Sequence, residues 1–457
     1  MPNSTAHTAM LWTIAGGFFM QALDTTIINT ALPSMADSLG VSALEMQPVV
    51  VAYTLTMALL TPASGWLSDR FGSRRVYFAS ILLFVLGSLF CAGAQSLPQL
   101  IAARVVQGVG GAMLLPVGRL AVLRAIRGEA YVAALAMISI AGQVGPIVGP
   151  SLGGWFVQSL SWHAIFLINV PVGALGLLGV WKFMPDDGLI DPPRFDWLGG
   201  GLLSLCMVSF SLALENPAQS HRLLVSGLLL ACSAAAVAGY FIHARRHPNP
   251  LFRIGLLREP NFGVGLAGNL VCRIGSSAVP FLLPLLLQLQ LGYSPLHSGL
   301  MLLPAAISGA IAKGWIAPLL RRFGYASFLV CNTITVGASI AAFALFSAST
   351  PLWLEIAILC VFGASNSMQF AAMNGVTLKG LSSKDAGSGN SLFSMVQMLA
   401  IGLGVSIGGG VVSGLSADGD TVNAFRIAFV VTGMFTLASA LIFRRIDAQP
   451  AARPQTA

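Results

Sequence analysis

An all-α bundle of membrane-spanning helices is the fold class this sequence predicts, and three features predict it. Of the 457 residues 56% are hydrophobic and only 9% charged, with a mean hydropathy of +0.81, which is far from a soluble globular chain. The apolar residues gather into stretches of about 20, the length that carries a helix through a bilayer. In lipid the backbone has no water to bond, so these stretches close their hydrogen bonds internally as helices and not as strands.

Fourteen spans follow in order: 9–32, 47–66, 76–95, 99–121, 132–157, 163–184, 197–214, 222–243, 262–290, 297–320, 326–348, 352–376, 388–412 and 424–443. The first is too long for a cleaved signal peptide and lacks a basic leader, so it reads as an uncleaved signal anchor. An even count puts both termini on one side. With the N-terminus inside, 19 of the 24 Lys and Arg fall in cytoplasmic loops, at the cytoplasmic ends of spans or in the tail, including Arg70, Arg74, Arg75, Arg119, Arg124, Arg127, Arg194, Lys384 and Arg453. Only Arg222 and Arg426 fall outside, so the positive-inside bias places both termini in the cytoplasm. The net charge of +8 is thereby explained by topology, and no nucleic acid is expected as a partner.

Two loop segments echo one another. LSDRFGSRRV (67–76) follows span two and LLRRFGYASF (319–328) follows span ten, each with an Arg-Phe-Gly turn. The repeat implies two related six-helix halves with a working site between them. The expected organisation is an N-terminal half at 1–184, a linker and two inserted helices at 185–260, and a C-terminal half with its tail at 261–457. The linker PDDGLIDPPRFD (185–196), rich in Pro and acid, reads as a surface connection.

Asp24, Arg104, Arg273 and Lys313 lie inside apolar spans. A charged side chain at a helix centre costs about 2.5–3.5 kcal/mol on insertion scales, so such residues are expected to face a polar interior and to act there. Other chemistry is poorly provided for. The six cysteines are scattered without a CxxC pair and read as packing thiols, and His243 and His247 in HARRHP read as a basic juxtamembrane cluster rather than a metal site. GxxxxGK[ST] and HExxH are missing and no acids cluster at one depth, so neither an ATPase nor a membrane enzyme is indicated; no cofactor or metal is expected and a proton gradient must drive any transport.

Four segments carry a family likeness: GWLSDRFGSRR after span two, RVVQGVGG in span four, GQVGPIVGPSLGG in span five and LDTTIINTALP in span one. Together they resemble the major facilitator superfamily over nearly the whole chain, and specifically its fourteen-span drug:proton antiporter branch. The resemblance implies the major facilitator fold, alternating access, and exchange of a small-molecule substrate for protons by a monomer. It also implies that Gly65, Asp69, Arg70, Gly72, Arg74 and Arg75 form a cytoplasmic gate holding the outward-open state. Gly142, Gly145, Pro146, Gly149, Gly153 and Gly154 match the antiporter signature. Spacings of 3, 4 and 4 put Gly142, Gly145, Gly149 and Gly153 on one helix face, read as a sliding contact between the halves, with Pro146 and Pro150 able to bend the helix.

Asp24 is the leading proton-coupling residue, with Arg104 organising the polar network around it; a structural ion pair is the alternative. Gln21 shares a face with Asp24, and Gln107 with Arg104. In the C-terminal half Asn269 and Arg273 lie four apart, Lys313 sits in span ten, and Asn366 and Gln369 share a face of span twelve. With Gln21 and Gln107 these form the candidate substrate-binding set. A wall bearing Arg273 and Lys313 suits organic anions, either carboxylates or their metal chelates. Snorkelling of both bases, export of lipophilic cations, and uptake by symport remain open alternatives.

Overall fold

A computed structural model describes residues 4–126, 129–186, 194–214, 220–379, 381, 386–416 and 420–446. Arg127, Lys384, Arg453 and the linker stretch 187–193 lie outside the described residues. All regular structure among the described residues is helical. The helices are α1 (Ser4–Ile27), α2 (Leu32–Leu39), α3 (Gln47–Leu60), α4 (Ser64–Phe71), α5 (Ser73–Ala92), α6 (Leu97–Ala125), α7 (Glu129–Ser159), α8 (Ala164–Leu167) and α9 (Asn169–Phe183). They continue with α10 (Trp197–Leu214), α11 (Ser220–Arg246), α12 (Pro260–Leu285), α13 (Pro295–Met301), α14 (Leu303–Ala312), α15 (Ile316–Ala342), α16 (Leu352–Lys379), α17 (Ala386–Ser416) and α18 (Thr421–Phe443). Among the described residues eleven stretches are long and apolar enough to cross a membrane.

Local chemistry explains the breaks. Gly40 at φ 67° ends α2 in the left-handed conformation that closes its last turn, and Ser42 with Glu45 forms a capping box at the next turn. Pro62 sits in a 3-10 turn, Thr61–Ala63, that separates α3 from α4. Pro116 lies inside α6 and cannot donate to the carbonyl of Ala112; the Thr61 hydroxyl supplies the missing donor at 3.4 Å.

The chain forms two compact units. One comprises Met1–Met207 with Leu287–Leu300, the other Val208–Leu286 with Met301–Ala457. In the first, α1 packs on α7 and α9, α5 on α6 and α9, and α3 on α6. In the second, α12 packs on α17 and α18, α15 on α16 and α18, and α14 on α16. The pattern of neighbours is the same in both. The repeated loops agree at the backbone too: Gly72 (φ 83°, ψ 140°) and Gly324 (φ 73°, ψ 165°) take one conformation that side-chain-bearing residues avoid. Helices α10 and α11 are the least covered of the spans, with 28% and 17% of their apolar windows buried against 78% for α12.

Candidate functional site: a buried carboxylate network

Asp24 on α1 is 1% exposed, as is Arg104 on α6, and the two form an ion pair of 2.7 Å between Arg104 Nη1 and Asp24 Oδ2. Gln107, one turn further along α6, donates from Nε2 to Asp24 Oδ1 at 2.7 Å and accepts from Arg104 Nη1 at 2.6 Å. Two side chains that sequence reasoning left without a role complete the cluster. Ser88 on α5 accepts from Gln107 Nε2 at 2.8 Å, and Asn169 at the start of α9 donates to Asp24 Oδ1 at 3.2 Å and to Ser88 Oγ at 3.1 Å. From α3, the Val49 carbonyl accepts from Arg104 Nε at 3.2 Å, and the Tyr53 ring lies 4.1 Å beneath the guanidinium. Five helices therefore meet at one carboxylate.

Close packing makes the convergence possible. A Cβ on Gly87 would stand 2.5 Å from Gln107 Cα, so only glycine there lets α5 bring Ser88 up to the Gln107 amide. Gln21, expected beside Asp24, turns its amide to the Met57 sulfur at 3.9 Å and lies outside the network. The signal for Asn169 was present in SWHAIFLINVPVG, a segment that sets a lone amide in an apolar run.

The candidate gate is also assembled, with a different partner. Asp69 pairs with Arg124 in the last turn of α6, which further donates to Ser73 Oγ at 3.0 Å. Arg74 donates to the Trp181 carbonyl on α9, while Arg70 and Arg75 are exposed. Arg70 follows Asp69 on the same helix about 100° around it, and Arg74 opens α5 facing α9, so neither of them is the partner that closes on Asp69. Gly72 makes the turn between α4 and α5, whereas Gly65 faces open space.

In the second unit, Asn269 is fully buried and both amide atoms lack a partner among the described residues. One turn along α12, the Arg273 guanidinium lies 4.1 Å over the Phe370 ring of α16, its Nε is unpaired, and no carboxylate pairs with it among the described residues. Asn366 is half-buried one turn before Phe370. Gln369 turns instead to α15, donating to Thr333 Oγ1 at 2.6 Å and accepting from Asn332 Nδ2 at 2.8 Å. Lys313 is half-buried in a 3-10 turn, Lys313–Trp315, ahead of α15.

The Major Facilitator Superfamily model matches residues 14–405 and again 265–457. The chain belongs to the major facilitator superfamily. It is 42% identical over 461 residues to a candidate multidrug resistance protein, MdtD, of Pectobacterium carotovorum, covering 98% of this chain and 97% of the relative. It is also 42% identical to the MdtD of Salmonella typhimurium, covering 98% and 96%. A crystal structure of an auto-inhibited POT family peptide transporter superposes with a TM-score of 0.73 at 14% identity, covering 98% of each chain, and so shares the fold. A superfamily member with these relatives is a multi-pass membrane transporter and not an enzyme.

The glycine stripe of α7 packs otherwise than expected. It lies against α1 of its own unit: a Cβ on Gly145 would stand 2.6 Å from the Leu23 nitrogen, and Gly149 and Gly153 meet Thr26, Ile27 and Thr30. The reading of this face as the sliding contact between halves is thereby corrected. Gly142 has ordinary room, 3.6 Å to Phe18 Cδ1, and Gly154 faces the backbone of Pro295 and Leu296. Pro146 and Pro150 sit within an unbroken α7, whose carbonyls at Gly145 and Pro150 receive the hydroxyls of Thr26 and Thr30 at 3.4 and 3.2 Å.

Proposed function

We propose that this protein is a proton-coupled efflux transporter working by alternating access, with Asp24 as the residue that takes and gives up the coupling proton. The observation that carries the proposal is the Asp24 cluster itself: a carboxylate 1% exposed, held by a cation from another helix and by two amides. Burying such a pair is weak as a source of stability, because desolvation offsets most of the attraction, so a functional reason for keeping it is favoured. Arg104 is the group that a proton on Asp24 would release.

The multidrug-resistance names of the relatives support export as the direction, and Arg273, with its Nε unpaired and no carboxylate partner among the described residues, supports an organic anion, either a carboxylate or its metal chelate, as the exported class. Arg273, Asn269 and Asn366 are the proposed contacts, with Lys313 adding positive charge. The same reading takes the chain as a monomer crossing the bacterial inner membrane fourteen times with both termini inside. Support for that count comes from Pro295–Leu345, whose 51 residues suffice for two crossings, and from α1 and α7, which at 24 and 31 residues are each long enough for one. A thermal-stabilisation screen tests the substrate class: di- and tricarboxylates, free and metal-bound, should raise the unfolding temperature in wild type but not in Arg273→Ala. Stabilisation by ethidium and other lipophilic cations, with none by carboxylates, would reject the anion and leave a cationic drug exporter.

A further inference from the structure

Each carboxylate oxygen offers two lone pairs. Asp24 Oδ1 accepts from both Gln107 Nε2 and Asn169 Nδ2, at 2.7 and 3.2 Å, so both of its lone pairs are engaged. Among the described residues, Asp24 Oδ2 accepts from Arg104 Nη1 alone. The two oxygens of one carboxylate are thus differently prepared, and the difference is made by α9. Asn169 is 1% exposed, and its amide is held from the other side by Ser88 Oγ, which fixes the orientation in which it reaches Asp24.

We propose that Asn169 is a positioning residue of the proton site: together with Gln107 it fills Asp24 Oδ1, so that the exchangeable proton enters and leaves on Oδ2, the oxygen that Arg104 holds. Proton uptake then consists of one O–H bond forming on Oδ2 as the Arg104 Nη1 contact opens, and release is the reverse. The proton leaves an O–H bond of a hydronium ion, which becomes water, and no other reactant is needed. Because the Arg104 guanidinium also contacts Gln107, Val49 and Tyr53, this choice of oxygen makes protonation a signal passed to α6 and α3, whereas a proton on Oδ1 would report only to α5, α6 and α9. The inference rests on the reading of Asp24 as the coupling residue.

The test needs no substrate. Infrared difference spectra of the purified full-length protein in nanodiscs, titrated with pH, follow the C=O stretch of a protonated carboxyl. In wild type one such band should vanish in Asp24→Asn, which identifies it. In Asn169→Leu, with Asn169→Ala as a second variant, the band should persist with its midpoint moved up by about one pH unit, the effect of losing one hydrogen bond to a charged acceptor. It should also split or change frequency as Oδ1 becomes available to the proton. A band that keeps its midpoint and frequency in both folded variants overturns the positioning role. A titration with no band that depends on Asp24 fails at the earlier step and rejects the coupling reading instead.

Discussion

Arg104→Leu takes the cation out of a site where the anion stays behind. The guanidinium makes a 2.7 Å ion pair with Asp24, hydrogen bonds of 2.6 and 3.2 Å to Gln107 and Val49, and a 4.1 Å contact with the Tyr53 ring, all with 1% exposure. Breaking a buried pair from one side costs about 3–5 kcal/mol, because the remaining charge keeps its desolvation penalty and loses its compensation. Asp24→Asn should cost a similar amount by stranding Arg104. The double variant Asp24→Asn, Arg104→Leu strands nothing, so it should cost no more than either single change, a coupling of about 3–5 kcal/mol. Unfolding of detergent-solubilised protein by heat or by SDS, carried through the full four-variant cycle, measures it. A double variant whose loss equals the sum of the two singles within about 0.5 kcal/mol would refute the argument that these side chains form one unit.

Three further outcomes follow from particular contacts. Gly145→Ala should destabilise by about 1–3 kcal/mol, because its Cβ would stand 2.6 Å from backbone on α1, whereas Gly142→Ala on the same stripe has 3.6 Å of room and should be neutral or mildly stabilising in thermal unfolding. Gly324→Ala should cost about 1–2 kcal/mol although open space surrounds it, since φ is +73°, while Gly314→Ala, also in open space and without a positive φ, should cost nothing. The Asp69–Arg124 pair is partly exposed, so Asp69→Arg or Arg124→Asp alone should change stability by less than about 1 kcal/mol yet impair transport by vesicles, and the swapped double variant should recover it. Failure of the swap to recover would remove the pair from the gate.

What the sequence made legible was the placement of charge and glycine along helices. Asp24, Arg104 and Gln107 could be singled out because a charge or amide in an apolar span has few reasons to be there, and the structure joins all three. Ser88 escaped because one small hydroxyl leaves no mark in hydropathy, and Asn169, visible as a lone amide in an apolar run, escaped because nothing in its own span names its partners; both roles depend on which helices meet, which periodicity within a single span does not encode. Arg124 escaped for the opposite reason. It was counted with many loop arginines as a topological charge, and only the length of α6, running on to Ala125, puts it beside Asp69. The stripe of Gly142, Gly145, Gly149 and Gly153 told correctly that a helix approaches closely, but spacing carries no name for the partner, and the partner is α1. In the second unit Gln369 and Asn366 sit three apart and were read as one face, yet the former bonds to α15 and the latter shares the side of Phe370, since three residues leave a 60° difference around a helix.

The most direct measurement is proton flux in proteoliposomes holding Asp24→Asn, with a pH-sensitive dye inside and the ligand selected by the stabilisation screen outside. Proton movement driven by that ligand should be lost while ligand-for-ligand exchange continues. Undiminished ligand-driven proton flux in Asp24→Asn would contradict the account.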